Sequence, residues 1–405
     1  MKQNLMKKDF YNFTRTDTKI VKGFAILFMV LDHLFAWPEK ITEGSYIPLF
    51  VYNGVPIEEI IGLMGKICVA LFVILSGYGT YEQFKNRNNV NQGIFKKITG
   101  LYIKYWQIFA IFVPLYFIFG VERVKPGFKN LVLNFLAIDI TYNGEWWFFT
   151  PFIILMLLFP LMLKWENSKH SNFTSDILIV FALFIFTNFF YDKIADMEFF
   201  REFAASNIEY QILDTLKLSR SFLLGIIMAK YDLIGKFLML FKNRISMFLI
   251  CSAVAVMSLL GKWKLNYDYD MLYAAAFIFG CVGVFKSLQF KPLESVFVWL
   301  GKHSTNIWLI HSSLCYLLAQ KLIFAPKYSF LIVIWLILLS VAIGFAIDKL
   351  FYFLGFLPSQ VFVFLFSRLF IFFTFSAFRC LYLSCFLPLY LLCFYLLFYL
   401  FFTSM

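Results

Sequence analysis

The chain has 405 residues, of which 61% are hydrophobic, 21% aromatic and only 15% charged. A soluble domain carries roughly 25% charged residues, so a soluble globular enzyme and a disordered chain are both excluded. The net charge of +12 lies between apolar runs and forms no basic stripe interleaved with aromatics, which argues for membrane-loop charge and against a nucleic-acid partner.

The apolar runs are continuous and do not alternate, which disfavours an outer-membrane barrel. The reading is all-α: a polytopic helical bundle of about ten membrane helices, one integral domain over residues 1–354, with the lipid bilayer as its partner. Met1 to Lys19 is polar and basic without a cleavage site, so the first apolar run is read as a retained helix. Runs of the roughly 17 to 25 residues that a crossing needs predict helices near 20–37, 64–84, 100–120, 146–163, 177–191, 219–234, 244–261, 271–287, 303–320 and 329–353.

Loop charges set the orientation. The N-terminus (Lys2, Lys7, Lys8, Arg15, Lys19), the second loop (Lys85, Arg87, Lys96, Lys97), the sixth (Lys230, Lys236, Lys242, Arg244) and the eighth (Lys286, Lys291, Lys302) are basic. The first loop carries Glu39, Glu43, Glu58 and Glu59 against Lys40, and the long fifth carries Asp192, Asp196, Glu198, Glu202, Glu209 and Asp214. This alternation fits ten helices with both ends of the core cytoplasmic, and the plasma membrane is the expected location. The seven cysteines form no C-x-x-C pair, and Cys68, Cys251, Cys281 and Cys315 sit in apolar runs as small fillers, so neither a metal site nor a disulfide framework is expected.

Beyond Phe351 the composition changes. The last 55 residues hold 16 Phe, and Arg368 and Arg379 are their charges. Residues 355–405 are read as a hydrophobic tail of little role, the alternative being extra helices near 359–376 and 380–402.

Ionisable side chains within a membrane span are costly, and default to functional candidates. Lys22 and His33 are eleven residues apart, three turns and about 16 Å along one helix face, with Asp32 beside His33. Leu75-Ser76-Gly77-Tyr78-Gly79 lies near mid-bilayer in the second helix, and paired glycines admit a close backbone or ligand. In the ninth, Gly301-Lys302-His303-Ser304 marks the start and His311 lies about two turns deeper. Each has an ordinary structural role as well: a membrane Ser bonds to the preceding turn, a Lys snorkels, and Trp146 and Trp147 suit an aromatic belt.

Taken together, these motifs resemble acyltransferase family 3, the membrane acyltransferases that O-acetylate surface glycans, over roughly Lys19 to Leu354. The family's basic residue, ten intervening residues and His are matched by Lys22 and His33 in KGFAILFMVLDHL; its FF-x-x-SGY by Phe72, Ser76 and Gly77 in ALFVILSGYG. Phe95-Lys96-Lys97 and LYIKYW match the basic segment before the third helix, EWWFF the Trp-Phe pair opening the fourth, and WLGKHSTNIWLIH the ninth-helix motif ending in His311. The family's cytoplasmic pair of Arg separated by two residues is absent: Gly100 follows Lys97 at that spacing, and Lys104 is the next basic residue.

The resemblance implies an acyl-CoA donor, usually acetyl-CoA, entering from the cytoplasm, with Lys22, Lys96, Lys97 and Lys104 suited to its phosphates. It implies His33 as base or acyl carrier, with Asp32 beside it, and Ser76 and His311 in positioning or oxyanion stabilisation. The acceptor, a polysaccharide or glycolipid hydroxyl, would be received on the outer side by Glu145, Trp146 and Trp147. A transporter or flippase of a lipid-linked glycan is the alternative, but it predicts an internal repeat that the sequence lacks; a structural or sensor protein would need only the belts and loops.

Overall fold

The computed structural model describes residues 10–195, 208–265 and 268–354. Thr14 decides where the first long helix begins. Its hydroxyl accepts the N–H of Asp17 at 3.2 Å, and the Asp17 carboxylate accepts the N–H of Thr14 at 2.7 Å, a reciprocal cap that satisfies donors at the open helix end. Helix α1 therefore runs Arg15–Phe35, and Lys22 lies two turns inside it, not at its start as the apolar run suggested. A small hairpin follows, with β1 (Val51–Tyr52) antiparallel to β2 (Val55–Pro56). Asn53 and Gly54 both take positive φ, 49° and 81°, as the tight turns of such hairpins require.

The next helices are α2 (Ile57–Gly65), α3 (Cys68–Phe84), α4 (Val90–Ile118), α5 (Phe128–Phe135), α6 (Phe149–Glu166), α7 (Phe173–Ala195) and α8 (Ile208–Lys230). They are followed by α9 (Leu233–Leu238), α10 (Arg244–Leu265), α11 (Asp270–Leu288), α12 (Lys291–Ser312), a π-helical turn at Ser313–Leu318, α13 (Gln320–Ile323) and α14 (Ser329–Phe353). Helix α4 starts ten residues before the predicted span, so Lys96 and Lys97 are helical and not in a loop. Helix α12 starts at Lys291, so Gly301 to Ser304 lie in its middle. The candidate tail helices at 359–376 and 380–402 lie outside the described residues.

Seven of the described helical segments are long and apolar enough to cross a membrane: Ile57–Phe84, Val90–Ile118, Gly144–Glu166, Phe173–Phe190, Arg244–Leu265, Asp270–Leu288 and Ser329–Phe353. Helices α1, α8 and α12 match them in length, at 21, 23 and 22 residues, but carry the ionisable groups (Lys22, Asp32 and His33; Lys217 and Arg220; Lys302, His303 and His311). The chain is an all-α, multi-pass membrane protein. Its outward faces are apolar: Ile245, Leu249 and Val256 on α10 and Ile334, Leu338 and Phe345 on α14 are exposed at helical spacing, the stripe that lipid covers.

Glycines set how closely the helices cross. A Cβ on Gly77 of α3 would lie 2.0 Å from the Phe222 carbonyl of α8, and one on Gly225 of α8 would lie 2.0 Å from the Ile74 carbonyl of α3. Small residues permit this approach where no hydrophobic drive exists between helices in lipid. Gly77→Ala is expected to lower stability by about 1–3 kcal/mol through overpacking, read as a reduced unfolding midpoint in mixed detergent micelles.

Several cations counted as loop charge close helix pairs instead. Lys230 binds Glu166 at 2.6 Å and Asp176 at 2.9 Å, joining α8 to α6 and α7. Lys286 reaches Asp17 at 3.0 Å, joining α11 to α1. Cys68, Cys251, Cys281 and Cys315 are buried and unbridged.

Candidate active site

Helices α1 and α12 cross on their glycines. A Cβ on Gly301 would meet the Lys19 carbonyl at 2.0 Å, and one on Gly23 the Phe297 carbonyl at 2.2 Å. Each glycine stands ten residues before a histidine, so both helices rise about 15 Å from the crossing and bring His33 and His311 together. His33 Nδ1 lies 2.5 Å from His311 Nε2, and the rings stack with centroids 4.8 Å apart.

The hydrogen bonds fix the proton order. His311 Nδ1 faces the carbonyls of Trp308 at 2.8 Å and Ile307 at 3.1 Å, which only accept, so Nδ1 carries the proton. His311 Nε2 then accepts, and His33 Nδ1 donates to it. The neutral His33 ring therefore presents its lone pair at Nε2. Two carboxylates face that nitrogen: Glu145 Oε2 at 3.4 Å and Asp32 Oδ2 at 3.7 Å. Lys40 approaches the other oxygen of Glu145 at 3.4 Å.

Exposure falls along this line, from Lys40 at 41% to Glu145 at 19% and His33 at 14%. The site thus opens toward the loop after α1. Gln320 ties that loop down: its Oε1 accepts the N–H groups of Thr42 at 2.8 Å and Glu43 at 2.6 Å, and its Nε2 donates to the Lys40 carbonyl at 2.8 Å.

A buried polar cluster holds the far side of His311. Asn143 Nδ2 donates to Ser312 Oγ at 2.9 Å, Ser312 Oγ donates to Asn143 Oδ1 at 3.1 Å, and Tyr116 and Ser313 share a bond of 2.5 Å. Tyr316, in the π-helical turn, donates to the backbone carbonyl of His33. Single π turns widen the helix and recur at functional sites; here one begins at Ser313, directly after His311 and Ser312.

A family model described as an acyltransferase domain matches residues 17–349, a range that includes every group named above. The chain belongs to acyltransferase family 3. Comparison with curated proteins and with solved structures gives no match.

The remaining candidate residues of this membrane acyltransferase fall in distinct places. Lys22 is half-buried, three turns below His33, and near enough to Lys97 for the two ammonium groups to repel. Lys97 Nζ donates to Thr80 Oγ1 at 3.3 Å, Lys96 is exposed, and Lys104 pairs with Asp348 of α14 at 2.5 Å. Lys22 and Lys97 thus form one cationic locus at the end opposite Lys40, while Lys104 is committed to a helix contact. Among the described residues, no group of three or more His, Cys, Asp or Glu side chains is placed to hold a metal.

The structure places three further candidates as follows. Trp146 is fully buried and gives its indole N–H to the Leu309 carbonyl at 3.0 Å, so it braces α12 and offers no face to a sugar. Ser76 Oγ donates to the Phe72 carbonyl at 2.7 Å, the ordinary back-bond of a hydroxyl within a helix. Ser76→Ala is therefore expected to leave acyl transfer within about twofold of wild type, as that bond contributes only about 1 kcal/mol; a steady-state assay checks it. Glu145, placed among the acceptor-receiving residues, lies against His33 itself, while Trp147 stays half-exposed beside Phe148.

Sequence reading missed Asn143, Tyr116, Ser312, Ser313, Tyr316 and Gln320. One signal was available: glycine, nine residues and histidine occur in both α1 and α12, and that repeat encodes the paired crossing.

Proposed function

We propose that this acyltransferase moves an acyl group, acetyl in the first instance, from acyl-CoA to a hydroxyl of a surface polysaccharide or glycolipid precursor. The observation that carries the proposal is the His33 Nε2 lone pair, held by His311 and flanked by Glu145. His33 takes the proton of the acceptor hydroxyl as its oxygen attacks the thioester carbonyl. The tetrahedral intermediate collapses, the C–S bond breaks, and the thiolate leaves with the proton from the imidazolium. An ester and free CoA thiol result.

Glu145 stabilises the imidazolium that forms between these steps, with Asp32 as the second negative charge. His311 is a positioning residue, since its own proton is fixed on the Trp308 carbonyl and it keeps the His33 proton on Nδ1. Lys22 and Lys97 receive the donor phosphates as point charges, with Lys96 at the rim. In this reading α1, α8 and α12 also cross the bilayer, giving ten crossings of the plasma membrane with the N-terminus cytoplasmic. The donor then enters past Lys22 and the acceptor past Lys40, with Trp147 at the outer rim.

The test uses the full chain in lipid nanodiscs with radiolabelled acetyl-CoA and a dodecyl glycoside. The expected result is ester-linked label and free thiol in equal amounts. Absence of thiol release with every acyl-CoA offered, from a protein that moves glycolipid between leaflets, would replace the enzyme with a flippase.

A further inference from the structure

Five carboxylates are buried among the described residues: Asp17, Asp32, Glu58, Glu166 and Asp176. Four have close donors. Asp17 holds Lys286 and the Thr14 cap, Glu58 accepts the Leu49 N–H at 2.8 Å, and Glu166 and Asp176 share Lys230. Asp32 is different. It is 8% exposed, its Oδ1 has no hydrogen-bond partner, and its Oδ2 lies 3.7 Å from His33 Nε2, beyond hydrogen-bond reach. A buried carboxylate without a donor is costly, and its own helix cannot supply one at this position.

Through Oδ2 the same carboxylate borders the His33 nitrogen that meets the reacting hydroxyl. Lys40 and Lys66 act on Asp32 only at a distance: Lys40 is engaged by Glu145, and the Lys66 ammonium lies 4.0 Å from the centre of the Trp37 ring. These two cations offset Asp32 and Glu145 in charge. A neutral donor therefore suits Asp32 better than a further cation.

We infer that Asp32 receives a second hydroxyl of the acceptor, on the carbon next to the one being acylated, so that the substrate class is a polyol with adjacent hydroxyls. The inference rests on the acyltransferase reading of the site. It makes Asp32 the residue that selects a diol over an isolated alcohol. While His33 takes the proton of one hydroxyl, the neighbouring hydroxyl donates to Asp32 and holds the acceptor in register.

The experiment compares cis-1,2-cyclohexanediol with cyclohexanol, using the full chain in nanodiscs. In the wild type, the kcat/KM for ester formation from acetyl-CoA is expected to favour the diol by about tenfold, the loss that one unpartnered buried group produces. In Asp32→Ala the ratio is expected to fall to within about twofold of unity, and in Asp32→Asn, whose oxygen still accepts, to be retained. A purely electrostatic role for Asp32 would lower both alcohols alike and leave the ratio unchanged, which overturns the inference.

A second readout is independent of acyl transfer and of any variant. Dicyclohexylcarbodiimide modification of Asp32 in the wild type is followed by mass spectrometry. The diol, but not cyclohexanol, is expected to slow it. If no ester forms from any acyl-CoA, protection by the diol alone upholds the diol site while the enzyme reading fails. Equal modification rates with the two alcohols overturn the diol site whatever the activity.

Discussion

His33→Ala is expected to lower acyl transfer by about a thousandfold while the chain still inserts and binds acyl-CoA. Removing a positioned general base costs about 10²–10⁴ in rate, and a factor of a thousand corresponds to about 4 kcal/mol of barrier. No other described side chain takes over at that spot. The ring of His311 is fully buried and its Nδ1 proton is held by the Trp308 carbonyl. Glu145 and Asp32 stand 3.4 and 3.7 Å from His33 Nε2, on its far side from His311. The variant also leaves His311 Nε2 without its donor, a cost of about 1–3 kcal/mol, so stability is measured alongside the rate. Transfer within about threefold of wild type, in a protein folded by the same criterion, would remove His33 from the chemistry.

Gly301→Val is the second large effect. A Cβ there would stand 2.0 Å from the backbone carbonyl oxygen of Lys19. Backbone cannot rotate aside as a side chain can, so α1 and α12 must separate or slide. The contact of 2.5 Å between His33 and His311 lies ten residues above that crossing and inherits the displacement. A shift of about 1 Å in a catalytic group costs about a hundredfold in rate, and overpacking adds about 1–3 kcal/mol of destabilisation. The expected outcome is both a lowered unfolding midpoint and a turnover drop of about a hundredfold at saturating donor. Retention of wild-type turnover would mean that the crossing does not set the histidine pair.

The sequence carries the last long helix to the residue, because 329–347 is almost entirely apolar and follows the Pro326-Lys327 turn. It also carries the three-turn spacing of Lys22 and His33 along one face, which depends only on helical rise. It misplaces the starts of α1, α4 and α12 because their first turns are polar and fall below any hydropathy limit; only the Thr14 cap betrays one of them. Trp146 reads as an aromatic belt because it sits at the edge of an apolar run, and nothing local reveals that the Gly144–Trp146 turn directs its ring inward onto Leu309. The pairing of His33 with Glu145 spans 112 residues, and that of Asn143 with Ser312 spans 169. Such contacts are decided by which helices pack together. Local pattern carries no trace of them, whereas the glycine-to-histidine spacing shared by two helices does.

The two-ended arrangement, with Lys22 and Lys97 at one end of the bundle and Lys40 at the other, yields the most direct test. Sealed vesicles of known orientation are given radiolabelled acetyl-CoA, which does not cross the bilayer, on one side only, with a glycoside acceptor on both. Label is expected to reach the acceptor only when acetyl-CoA is supplied on the side that bears Lys96. Equal labelling with the donor confined to the side that bears Lys40 would contradict a transfer centre at His33 fed from the Lys22 end.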